Sequence, residues 1–163
     1  MVATRSWRTR AVGALASMIM LVGLAGPAAA ADPAVYDFPA GVACQFELQL
    51  TVYGGAPQVN KDFGDGIFLT AGKGSAITYT NVGTGDSIST KAGGAVNWTS
   101  INPDGSAGIT LTGSNVVILF PTDVDGPSVA VYTGRVVIDV AADGAWTVRT
   151  SPPMALDVCA ALS

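Results

Sequence analysis

Side chains able to carry acid–base, nucleophilic or metal chemistry are scarce in this sequence, and the most versatile of them is missing. There is no histidine in the chain, which removes the commonest general base, the usual zinc ligand and the ordinary hydrolase triad together. Glu47 is the sole glutamate, whereas glycoside hydrolysis calls for two carboxylates at a fixed separation. Aspartates could substitute, and the sequence offers two close pairs, Asp62 with Asp65 and Asp123 with Asp125. The same pairs are the only metal candidates, because a hard cation such as calcium collects oxygen ligands from acidic loops. Asn60, Asp62 and Asp65 precede Gly66, and Asp123 and Asp125 precede Gly126. Neither group has the further ligands and closing Glu of an EF-hand. Asp is favoured in turns for its hydrogen bonds to the local backbone, so the expectation is structural turns, with loop calcium as the competing reading.

Other fragments of motifs reduce in the same way. Lys73 and Ser75 could form a Ser–Lys pair, but Gly72 and Gly74 make the segment a glycine-rich turn, and the spacing of a phosphate-binding loop is absent. Asp62-Phe63-Gly64 matches a kinase magnesium triplet without room in the chain for that fold. Asn97-Trp98-Thr99 is a formal glycosylation sequon. Tyr53 and Tyr132 fall on the nominally outward sides of their strands, where a ring can stack on sugar or fill a partner's pocket. No catalytic residue and no cofactor is assigned on this reading, and no ligand-binding residue is fixed.

The cysteines carry the clearest covalent signal. Cys44 and Cys159 are the two in the chain, and both follow an N-terminal segment with the three parts of a signal peptide. Arg5, Arg8 and Arg10 precede an apolar run from Ala11 to Ala25, and small residues from Ala28 to Ala31 offer an A-x-A cleavage site. The run is shorter than the roughly 20 residues that span a bilayer. The expectation is therefore a leader over 1–31, export, and a single domain over 32–163 with no membrane anchor after cleavage. Exported thiols tend to oxidise, so pairing of Cys44 with Cys159 is expected; two buried free thiols are the alternative. Closing so long a loop would stabilise the fold by about 4 to 5 kcal/mol in the chain-entropy model.

Whatever these residues do, strands must position them. From Cys44 onward, Phe46, Leu48, Leu50 and Val52 alternate with Glu47, Gln49, Thr51 and Tyr53, the period of a strand with one buried face. Short runs rich in Val, Ile and Thr then recur: Ile67 to Thr70, Ala76 to Val82, Ser87 to Lys91, Ala95 to Ile101, Gly108 to Thr112, Asn115 to Phe120, Val129 to Thr133, Arg135 to Ala141 and Ala145 to Thr150. Gly, Asn and Asp separate them with turn chemistry. The pattern predicts an all-β domain, an antiparallel meander of about ten short strands closed as a barrel or folded as a sandwich. Residues 32–43, with Pro33 and Pro39, read as an irregular arm. Asn115 to Phe120 lacks alternation and reads as buried on both faces. Val96 and Trp98 are placed inward with Trp146 and Val148, and Asn97 outward. A short helix within Met154 to Leu162 would bring Cys159 back towards Cys44.

Charge narrows the partners. Of the eight basic residues three lie in the leader, while all twelve acids follow it. Five cations against twelve acids leave residues 32–163 at −7. With Lys61, Lys73, Lys91, Arg135 and Arg149 scattered, such a surface repels phosphate backbones and disfavours nucleic acid.

The arm Tyr36-Asp37-Phe38-Pro39-Ala40-Gly41-Val42-Ala43-Cys44, the turn Asn102-Pro103-Asp104-Gly105, the segment Val117-Ile118-Leu119-Phe120-Pro121-Thr122-Asp123 and the ending Asp157-Val158-Cys159-Ala160-Ala161-Leu162 together resemble a group of uncharacterised small secreted proteins of actinomycete bacteria. The resemblance spans nearly all of the expected mature chain. It implies an extracellular location and the placement of the cysteines, and it implies nothing about mechanism. Three function classes remain: a non-catalytic extracellular domain, with a binding module for polysaccharide or another cell-envelope ligand as its specific version; a small-ligand β-barrel; and, least supported, an aspartate-dependent secreted hydrolase. An exposed aromatic strip on one sheet face would favour the binding module.

Overall fold

The computed structural model describes residues 32–54, 58–91 and 93–163; the expected leader, 1–31, lies outside them. Twelve strands and one single-turn helix follow one another: β1 (Ala34–Phe38), β2 (Leu48–Tyr53), β3 (Val59–Gly64), β4 (Ile67–Gly72), β5 (Ala76–Asn81), β6 (Ser87–Thr90), β7 (Ala95–Ile101), β8 (Ala107–Leu119), β9 (Ser128–Thr133), β10 (Val136–Val140), β11 (Trp146–Thr150), β12 (Leu156–Asp157) and α1 (Val158–Ala161). The all-β expectation holds, with two antiparallel sheets and no closed barrel among the described residues.

One sheet has the order β1-β2-β5-β6, and the other runs β11-β10-β8-β7-β4-β3, with β9 paired to β8 and β12. This is not a simple meander. Hairpins interleave, so that β2 pairs with β5, β4 with β7 and β8 with β10. Sequence periodicity reports which residues share a face, and it carries no information on which distant strand lies alongside.

β8 organises the molecule. Its first half pairs with β7 and β10, and from Ser114 onward it pairs with β9. The transition sits at Gly113, whose φ of +94° and close approach to the Gly94 carbonyl leave no room for a side chain. The two runs expected as separate strands, Gly108 to Thr112 and Asn115 to Phe120, are thus one bent strand.

Beyond the bend both faces are covered. Val116 and Ile118 pack with Leu48, Leu50, Tyr79, Val129, Val131 and the α1 residue Val158. Val117 and Leu119 pack with Ala130, Val136 and Ile138, joined by Trp146 and Val148. The β8–β9 layer therefore lies between the four-stranded sheet and the β10–β11 region, as the unalternating sequence of this segment implies.

Four local readings need correction. The arm over 32–43 contains β1, paired residue by residue with β2 from Ala34↔Val52 to Phe38↔Leu48; as an exposed edge strand it shows no alternation for the sequence to reveal. β3 occupies a stretch read as turn. Tyr132 is buried, at 8% exposure, rather than outward. Trp98 and Val96 face outward while Asn97 is half-buried, because Asn97 pairs with Leu111, which packs into the core. The C-terminal helix is a single turn capped by Asp157, whose side chain accepts from the Ala160 N–H.

Candidate functional site

β3, β4 and β7 extend the larger sheet beyond the packed layers as a three-stranded wing. Thirteen large hydrophobics are exposed among the described residues, and six of them, Val59, Phe63, Phe68, Val96, Trp98 and Ile101, belong to these three strands. Such a concentration on one part of a surface marks a contact site more often than scattered apolar residues do.

Register gives the outer face its composition. Antiparallel partners share a face, so the row Lys61↔Leu69↔Trp98 and the row Val59↔Ala71↔Val96 lie side by side. Trp98 also pairs with Thr110, on the side of β8 opposite the core residues Ile109 and Leu111. Phe63 enters at a register shift between Asp62 and Gly64. Its ring centroid lies 5.3 Å from that of Trp98, tilted by 36°. The Lys61 ammonium sits over the Phe63 ring, 4.7 Å from the centroid, a cation–π distance. Phe63 is 46% exposed and Trp98 41%.

Local chemistry holds Phe63 there. The Asp62 carboxylate accepts from the Gly64 N–H at 2.8 Å, and Gly64, Asp65 and Gly66 all have positive φ. Gly tolerates that region freely and Asp better than most residues. The pair Asp62 and Asp65 therefore shapes the β3–β4 turn.

β3 is also the free edge of its sheet among the described residues. Pairing with a second copy through this edge in the registers centred on residue 61 or 62 would set Lys61 against Lys61 or Asp62 against Asp62. Like charges directly opposite are destabilising, and charged edge strands are a common protection against edge-to-edge association. The wing thus offers its face, with its edge guarded.

The other acidic candidates are absorbed structurally. Asp123 accepts from the Phe120 N–H at 2.6 Å and from the Trp146 N–H at 2.8 Å, tying the β8–β9 loop to the start of β11. Asp125 occupies a turn at φ 64°. Asp104 accepts from the hydroxyl and N–H of Ser106, and these bonds hold its carboxyl below the usual range. Among the described residues no three of His, Cys, Asp and Glu gather into a metal-binding group. Lys73 is exposed on the turn between β4 and β5.

Cys44 and Cys159 are joined in a disulfide, with Cα atoms 5.4 Å apart. No helix among the described residues is long and apolar enough to cross a membrane.

On the inner face of the wing, where Thr70 and Asn97 meet Leu111, Asn115 and Trp146, lies an open cleft of about 340 Å³ with no charged side chain in its lining. The Asn115 Nδ2 is buried and has no hydrogen-bond partner among the described residues. The Thr99 hydroxyl donates to the Asn97 Oδ1 at 3.0 Å, which leaves the Asn97 amide nitrogen as a donor. The formal sequon is thus an Asn–Thr pair half-buried beside a cleft.

Sequence reasoning missed Phe63 and misplaced Trp98. The alternation of Val59, Lys61 and Phe63 with Asn60 and Asp62 was the available signal, obscured by turn-forming Asp and Gly. Comparison with family models, curated proteins and solved structures finds no match.

Proposed function

We propose that this is a secreted, non-catalytic binding domain whose wing recognises polysaccharide, in the cell envelope or outside the cell, through its outer face. The Phe63–Trp98 pair carries the reading. Two exposed rings on one sheet face, fixed by a bulge and flanked by Lys61, form a platform for the apolar faces of sugar rings. Strand-borne aromatics keep their geometry, so little conformational freedom is lost on contact. The leader and the disulfide agree with an extracellular setting, and the net charge of −7 disfavours polyanions. Asp62 and Asp123 already hold backbone N–H groups, which supports binding over turnover.

The test is co-sedimentation of residues 32–163 with insoluble neutral polysaccharides, followed by titration with soluble oligosaccharides. Saturable binding to at least one neutral glycan is expected. Absence of binding across the set, or release of reducing sugar by the purified domain, would overturn the proposal.

A further inference from the structure

We infer that the inner-face cleft is a second binding site, for an uncharged ligand of about monosaccharide size that presents an acyl carbonyl to Asn115 and Asn97. It lies on the opposite face of the wing from Phe63 and Trp98 and does not depend on their role.

Three observations lead there. The cleft volume, about 340 Å³, is at the lower end of small-molecule sites, which run from about 300 to 1,000 Å³. Its polar side chains are carboxamides and a hydroxyl, with no Lys, Arg, Asp or Glu. A charged ligand would lose hydration there without gaining a counter-charge. Two amide donors are open to a ligand: the Asn115 Nδ2 is buried and unpartnered among the described residues, and Asn97, its oxygen already engaged by Thr99, keeps its amide nitrogen. A buried donor without an acceptor costs free energy that a ligand oxygen would recover. Leu111, Val116 and Trp146 supply the apolar wall, matching the methyl group of an N-acetyl substituent or one face of a sugar ring.

Within the proposed class of ligand, an N-acetylated neutral sugar fits this combination, with a carbonyl acceptor beside a small apolar group. N-acetylglucosamine is therefore the probe, with glucosamine and glucuronate as charged controls, titrated into the isotope-labelled domain and followed by NMR. The side-chain amide signals of Asn97 and Asn115 and the indole signal of Trp146 should move saturably with N-acetylglucosamine. Glucosamine and glucuronate should bind at least tenfold more weakly. Asn115→Leu, similar in size and without the unpartnered donor, should melt at the same temperature or higher and bind at least tenfold more weakly; Val35→Ala, at an exposed position of β1 in the other sheet, should bind as the parent does. Equal affinity for the charged sugars, no saturable shift at the cleft, or a lower melting temperature for Asn115→Leu would each overturn the assignment. Polysaccharide binding that depends on Trp98 alone would leave the wing reading standing without the cleft.

Discussion

Around the disulfide, large apolar side chains are enclosed: Leu48, Tyr79, Val129 and Val158 have no exposed surface. Asn81, buried with them, donates from Nδ2 to the Leu162 carbonyl at 2.9 Å and ties the end of α1 to β5. In the wing the same kinds of residue remain open to solvent, and among the described residues the strands are joined to the rest of the larger sheet through the β7–β8 ladder alone. One region uses hydrophobic side chains for cohesion, and the other, on the proposed function, holds them in a fixed array for contact. Substitutions in the two regions should therefore separate stability from binding.

The largest expected effect is at the staple. Cys159→Ala should lower stability by up to about 4 to 5 kcal/mol, read by denaturant melts under non-reducing conditions, without altering the affinity of the surviving folded fraction. Next comes the enclosed core: Leu48→Ala should cost about 2 to 5 kcal/mol, whereas Phe63→Ala, which opens no enclosed space, should stay within about 1 kcal/mol of the parent. A Phe63→Ala cost comparable to that of Leu48→Ala would show that the wing is core and would collapse the contrast. Between these lies Asp123→Ala, which strips acceptors from the Phe120 and Trp146 N–H groups and should cost about 1 to 3 kcal/mol.

The smallest effect is one of pH. Burial pushes the Tyr79 phenol above its ordinary value of 10.0, an effect only partly offset by the nearby Thr90 hydroxyl, which falls short of hydrogen-bonding geometry. A group whose folded pKa is raised lends stability that is fully present below its unfolded pKa and is lost as pH rises through the folded value. The domain should therefore weaken above about pH 10, and Tyr79→Phe should show a shallower decline over that window. Parallel curves for parent and variant would show that the phenol ionises equally in both states.

The stapled core was far more legible in the sequence than the wing. The alternation through Leu48 and Leu50 and the unbroken Val116 to Leu119 run mark burial directly, because solvent exclusion selects residue types at strand period. The cysteine pair was legible for a separate reason, since the leader-like N-terminal segment leads to the expectation of export, where two thiols tend to oxidise. The wing follows no such rule. When both faces of a sheet are open, apolar and polar positions no longer report inside and outside, so Val96 and Trp98 were read as core. β1 and β3, exposed edge strands, escaped for the same reason. Strand order was hidden because β2–β5 and β4–β7 pairing depends on contacts between distant segments.

The central claim is that Trp98 serves contact and not cohesion, and one variant tests it most directly. For Trp98→Ala, the melting temperature and the affinity for a bound neutral glycan are measured on the same preparation. The account predicts a melting temperature within a few degrees of the parent, the shift that about 1 kcal/mol produces in a domain of this size, together with at least a tenfold loss of affinity, equivalent to about 1.4 kcal/mol. A large fall in melting temperature with glycan affinity unchanged in the folded protein would contradict it.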